Sequence, residues 1–245
     1  MRIICTENYQ EMSQRVGEII ASQIILKPDS VLGLATGSTV IGAYEYLIDK
    51  HRRDGLDFRF LHTVNLDEYI GLEPTHEQSY RYFMNHNLFD HVNIDPANTN
   101  VPSGVAEDTS AECLRYEAKI KELGGIDLQL LGLGKTCHIG FNEPEEAFAT
   151  ITHTVELNQQ TILDNSRFFE SVDEVPRQAI TMGIQTIMMA KTILLAVNGE
   201  GKADALAAAL QGEVKPSVPG SILQMHPNVI VVADKAALSK TKLPR

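Results

Sequence analysis

Residues 128–144 read LQLLGLGKTCHIGFNEP, and the first four of them decide the fold. Leu128, Gln129, Leu130 and Leu131 make a short apolar run, with Gly124-Gly125 before it and Gly132 and Gly134 after it. That is the pattern of a strand buried on both faces of a parallel sheet. Doubly wound α/β proteins bind ligands at the carboxyl ends of such strands, and the residues that follow here put chemistry at that end. His138 supplies an imidazole, the side chain that most readily changes charge near neutral pH. Glu143 follows on the same loop, ahead of Pro144, which restricts the backbone before it.

Outward from this strand the pattern recurs. Apolar runs at 31–35, 61–66, 193–197 and 229–232 predict further strands, and helical patterns lie between them at 40–51, 78–87, 110–123 and 202–210. The chain opens with Tyr9, Met12, Val16, Ile19, Ile20 and Ile24 at helical spacing, and Lys27-Pro28 ends that helix. This alternation predicts one α/β domain over 1–245, an open, mostly parallel sheet with helices on both faces. Residues 152–157 read as a further strand and 95–104 as a polar connection. The long irregular segment 158–176 has the makings of a mobile lid.

A formal net charge of −11 argues against nucleic acid and against an anionic membrane surface, so a small anionic substrate needs a local cationic pocket. Cys5, Cys113 and Cys137 are odd in number and lack metal-ligand spacing, which fits a reducing compartment, the cytoplasm. Glu7, Glu11, Arg15 and Glu18 interrupt any signal-peptide core, and Lys191 breaks the apolar stretch 184–197. Neither a signal peptide nor a membrane span is expected.

Three constellations carry the candidate chemistry. Residues 34–39, Leu-Ala-Thr-Gly-Ser-Thr, run from a strand end into a helix start. Gly37 lets backbone approach a ligand, and the hydroxyls of Thr36, Ser38 and Thr39 with the first-turn N–H groups suit an anion. The plainer reading is an ordinary N-cap at Ser38 or Thr39. Asp67 and Glu68 stand at the end of the next strand and point in different directions, so that one can face the cleft as a general base. The plainer reading is a solvated turn. On the opening loop His138 can exchange a proton with a sugar ring oxygen while Glu143 holds its tautomer; the alternative is a packed histidine bonded to backbone. Cys137 beside it reads as small-residue filling. Arg167 and Lys202 are cations able to gather a phosphate monoester, Arg167 through its bidentate fork. Either alone reads equally as a surface charge.

Together these segments resemble the glucosamine-6-phosphate deaminase family through nearly the whole chain. The similar stretches are LGLATGST (32–39), VNLDEYIGL (64–72), SYRYFMN (79–85), LGLG-x-x-x-HIGFNEP (131–144), NSRFF (165–169) with VPRQAITMG (175–183), and NGEGKADAL (198–206). The resemblance implies a modified Rossmann-like sheet that turns glucosamine 6-phosphate and water into fructose 6-phosphate and ammonia, without a metal or organic cofactor. By position, His138 opens the ring with help from Glu143, and Asp67 moves a proton from C2 to C1. Thr36, Gly37, Ser38, Thr39, Arg167 and Lys202 then hold the 6-phosphate. The family's loop normally reads Gly, any residue, Asp or Asn, Gly, His, whereas this chain has Gly134, Lys135, Thr136, Cys137, His138. Thr136 therefore takes the place of a side chain that orients the histidine, and Cys137 replaces a glycine. The expected consequence is slower ring opening or a rearranged loop. Two other readings remain at this point: a 6-phosphogluconolactonase-like hydrolase, and a sugar-phosphate-binding protein with a decayed catalytic loop. The short carboxyl terminus points to a monomer or small homo-oligomer.

Overall fold

The computed structural model describes residues 1–166 and 169–242 of the chain. β1 (Arg2–Thr6) leads into α1 (Tyr9–Leu26), β2 (Val31–Leu34), α2 (Ser38–Asp54), β3 (His62–Asn65) and β4 (Asp67–Tyr69). Then come α3 (Tyr80–Asn87), β5 (Thr99–Asn100), α4 (Thr109–Glu122), β6 (Leu128–Leu131), β7 (His153–Glu156) and α5 (Gln159–Asn165). β8 (Gln178–Thr181), α6 (Ile184–Met188), β9 (Thr192–Val197), α7 (Ala203–Gln211) and β10 (Val229–Asp234) complete the order.

Seven strands form one parallel sheet in the order β1-β10-β9-β6-β2-β3-β5. Every residue of β2 and β6 is buried, as are Ile193–Val197 of β9, so the sheet needs cover on both faces. α1 and α2 pack against each other on one of them. α1 does so because Met12, Val16, Ile20 and Ile24 share a face, and Asn8 caps it by accepting the Glu11 N–H. The predicted α/β class and its five principal strands are found.

Topology opens the cleft. From β2 the chain steps to β3 and β5 on one side, then returns to β6 on the other and continues to β9 and β10. The loops leaving β2 and β6 diverge at this switch point, and those leaving β3 and β9 flank them. Buried Asp127 pins the opposite end of these strands: it accepts from the Val31 N–H at 2.8 Å and pairs with Lys27 and Lys191 at 2.6 and 2.7 Å.

The sequence patterns missed a second, antiparallel sheet of order β4-β8-β7, in which Asp67 pairs with Thr181 and Tyr69 with Ala179. Only β7 lay inside a predicted strand. β4 has three residues and β5 two, too few to show a period, and β1 is an edge strand whose burial is partial. The irregular reading of 158–176 is also corrected. Asn158 accepts the Thr161 N–H at 2.8 Å and starts α5, and Val172–Glu174 form a 3₁₀ turn. A seven-residue helix carries too little periodicity to announce itself. Among the described residues, no helix is long and apolar enough to cross a membrane.

Candidate active site

The carboxyl ends of β2, β3, β6 and β9 surround a cleft of about 600 Å³. Thr36, Gly37, Ser38, Thr39, Asp67, His138 and Lys202 line it, which brings seven of the ten candidate side chains or backbones to one place. Thr136 and Glu143 stand behind His138. Arg167 lies outside the described residues.

At one end of the cleft Gly37 is the N-cap of α2 with φ +96°, a backbone that a Cβ would strain. No described side chain caps that helix, so the ordinary N-cap reading of Ser38 and Thr39 does not hold. The Thr39 hydroxyl instead donates to Asn198 Oδ1 at 2.9 Å, tying the loops after β2 and β9 together. The Val40 N–H donates to the Gly37 carbonyl at 3.3 Å, while the uncapped N–H groups of Ser38 and Thr39 make the arrangement that helix N-termini offer a phosphate. Lys202 is the N-cap of α7, and the loop before it is braced by Asp234, which accepts the Gly199 N–H at 3.0 Å.

The two carboxylates after β3 do diverge, and both are buried, so the solvated-turn reading fails. Glu68 turns away from the cleft and accepts the N–H groups of Tyr69, Tyr80 and Arg81 at 2.9, 2.8 and 2.9 Å. It thus seats the start of α3. Asp67 faces the cleft; burial, and then the charge of Glu68, push its carboxyl up to about 8. A carboxyl so placed is largely protonated at neutral pH, gains its base form as pH approaches about 8, and returns a proton readily once it has taken one.

The loop after β6 presents the imidazole. Gly134 has to be glycine here, since a Cβ would lie 2.1 Å from His138 Nε2. His138 Nδ1 is 3.0 Å from Glu143 Oε2 and 2.8 Å from Thr136 Oγ1, and the Thr136 hydroxyl donates to Glu143 Oε2 at 2.8 Å. With a carboxylate at Nδ1, that nitrogen carries the proton and Nε2 accepts in the neutral ring. Burial pushes the Glu143 carboxyl up, but the hydrogen bond and charge of His138, then Thr161 and Thr136, outweigh it and hold it below the usual range. Thr136 and the ring thus share one oxygen of the Glu143 carboxylate.

Cys137 has φ +66°, the one non-glycine in the left-handed region among the described residues. Its thiol is buried, donates to the Ala205 carbonyl at 3.4 Å and is pushed up to about 11 by burial, which argues against a nucleophile. Left-handed backbone costs a non-glycine residue about 1 kcal/mol, and the buried thiol recovers about the same. Cys137→Ala keeps the strain and loses the burial, while Cys137→Gly loses both. The glycine variant is expected to melt above the alanine variant in parallel thermal scans; the reverse order would show that the backbone there is unstrained.

Sequence reasoning missed the wall facing this machinery. Tyr69 lies 4.8, 5.7 and 6.1 Å from the rings of Tyr80, Phe141 and Phe169. Asn165 donates to its hydroxyl at 2.8 Å. Thr161, from α5, donates to Glu143 Oε1. These residues come from five separate segments, and no spacing along the chain connects them. Among the described residues no three His, Cys, Asp or Glu side chains are grouped to hold a metal ion.

An anion seat, a buried carboxylate and an imidazole–carboxylate pair around one strand-end cleft define an α/β protein built for acid–base work on a small anionic ligand. The chain belongs to the family of glucosamine-6-phosphate isomerases and 6-phosphogluconolactonases, which matches residues 6–232. It is 57% identical over 232 residues to glucosamine-6-phosphate deaminase of Lachnoclostridium phytofermentans, covering 95% of this chain and 98% of that one. Against the Clostridium botulinum deaminase the identity is 53% over 243 residues, 99% and 100% of the two chains. A solved structure described as a monomeric glucosamine-6-phosphate deaminase superposes with TM-score 0.96 at 45% identity, covering 98% of this chain and 100% of the other. The 6-phosphogluconolactonase of Trypanosoma brucei reaches TM-score 0.78 at 20% identity, covering 98% of each chain, a likeness of fold alone.

Proposed function

We propose that this chain is a glucosamine-6-phosphate deaminase, converting glucosamine 6-phosphate and water into fructose 6-phosphate and ammonia. The observation that carries the reading is that Asp67 and His138 line the same cleft as the uncapped start of α2. The 6-phosphate binds at residues 36–39 and Lys202, with Arg167 joining by its position in the sequence. His138 Nε2 takes the proton of the C1 hydroxyl and delivers it to the ring oxygen as the C1–O5 bond breaks, while Glu143 stabilises the transient imidazolium. The open-chain amino aldehyde then presents its C2 hydrogen to Asp67. Removing it gives an enolamine, and returning it at C1 gives an iminium at C2. Water adds to that carbon, ammonia leaves, and a ketose remains.

The deaminase relatives support this substrate over a lactone, whose hydrolysis has no use for a buried base that moves a carbon-bound proton. Three free cysteines support a cytoplasmic location, and the superposition on a structure described as monomeric supports a monomer or small homo-oligomer. Purified protein given glucosamine 6-phosphate is expected to release ammonia and fructose 6-phosphate in equal amounts. Acid release from 6-phosphogluconolactone instead would favour the hydrolase, and ligand-induced thermal stabilisation without turnover would favour the decayed-loop binding protein.

A further inference from the structure

Glu143 has two carboxylate oxygens, and the ring-opening pair uses one. Oε2 receives the His138 Nδ1–H and the Thr136 hydroxyl; Oε1 receives the hydroxyl of Thr161. Thr161 comes from a different part of the chain, the first turn of α5, and is itself buried. Its placement is set from both ends of that helix. Asn158 holds the Thr161 N–H, and Asn165 holds the Tyr69 hydroxyl at 2.8 Å, two residues beyond Asp67. Ile162 packs with Tyr69 and Phe141 between those anchors.

We propose that Thr161 is a positioning residue for the ring-opening acid, its hydroxyl fixing the Glu143 carboxylate against which His138 is oriented. This rests on the reading of His138 as the group that opens the ring. Other charges do not substitute for the contact. His138 is the ionisable group that Glu143 meets directly, Asp67 approaches the loop at Gly140 and is itself a carboxyl, and Glu145 and Glu146 are exposed. Without Thr161, Oε1 has no other hydrogen-bond donor among the described residues and sits in a buried place. An unpartnered buried carboxylate favours its protonated form, and a protonated Glu143 neither holds the Nδ1–H nor balances an imidazolium.

The test replaces Thr161 by Val, which keeps the shape and removes the donor, and by Ser, which restores it. The carboxyl carbon of Glu143, followed by carbon-13 NMR through an acid titration, is expected to titrate about one pH unit higher in Thr161→Val than in the wild type. Thr161→Ser is expected to match the wild type. In the ammonia assay Thr161→Val should lose about tenfold in kcat with KM within about twofold, since the phosphate seat is untouched. Thr161→Ala, checked by thermal melting, repeats the titration if the valine variant does not fold. A Glu143 carboxyl that titrates at one pH in wild type and in both donor-free variants overturns the proposal. Because the titration needs no substrate, it is separate from the deaminase reading, which fails instead if the wild type releases no ammonia.

Discussion

Asp67→Asn is expected to lower kcat for ammonia release by roughly 10²–10⁴-fold and, at the same time, to raise Tm. Both effects have one cause. Asp67 lies buried beside Glu68, and its carboxyl is pushed up to about 8, first by loss of water and then by its neighbour's charge. The folded state therefore binds a proton that the unfolded chain gives up near an ordinary carboxylate pKa of about 4. Stability from this group is fully present below about pH 4 and declines as pH rises through about 8, the sign for a group whose folded pKa is raised. Asparagine carries no charge and escapes the decline. Its advantage in Tm, roughly 2–4 °C per kcal/mol in a chain of this size, is expected to be larger near about pH 9 than near about pH 5. Equal gains at the two values would mean that the carboxyl is not perturbed. The same group sets the wild-type rate profile: kcat/KM is expected to climb with pH until about 8, because the base form is the active one.

His138→Ala is expected to cost a similar factor, roughly 10²–10⁴ in kcat, with little change in KM. The imidazole lies flat over Gly134 with Nδ1 committed to Glu143 and Thr136, so Nε2 alone is left to serve the cleft. Deleting the ring leaves a slot whose glycine floor and carboxylate back wall fit a free imidazole. Millimolar imidazole in the assay should therefore restore part of the lost rate, and restore none to Asp67→Asn. A His138→Ala protein that keeps more than about a tenth of the wild-type kcat would remove the ring from the proposed chemistry.

Much of this was open to reading along the chain, for a definite reason. Strands such as 128–131 and 193–197 are buried on both faces, so their composition alone gives them away, and their alternation with helices leaves few topologies. The residues at their carboxyl ends inherit a place in the cleft from that topology, which is why Thr36 to Thr39, Asp67, His138 and Lys202 could be named without coordinates. Glu143 was legible because it shares a loop with its partner.

The antiparallel sheet and α5 were not legible, being built from pieces of three to seven residues whose conformation is settled by what they pack against. The two unusual residues of the loop after β6 show the same division. Threonine at 136 reads from the sequence as a weaker orienting group; the contacts it makes, with its hydroxyl joining Glu143 and His138 in one cluster that Thr161 closes from a distant helix, were set by the fold. Cysteine at 137 does occupy a backbone that suits glycine, and its thiol is accommodated by packing against Gly220.

The sequence by itself determined the α/β class and, through its motifs, the family, and it named candidates for an anion seat, a base and an acid, because strand-end position and motif resemblance are both carried by local stretches of chain. Tertiary structure alone decided the rest. It turned Glu68 away to hold α3, desolvated Asp67, and brought Thr161 and the Tyr69 wall onto the loop that begins at Gly132. Burial and hydrogen-bond partners across long stretches of chain set those properties, and a spacing pattern carries no record of them.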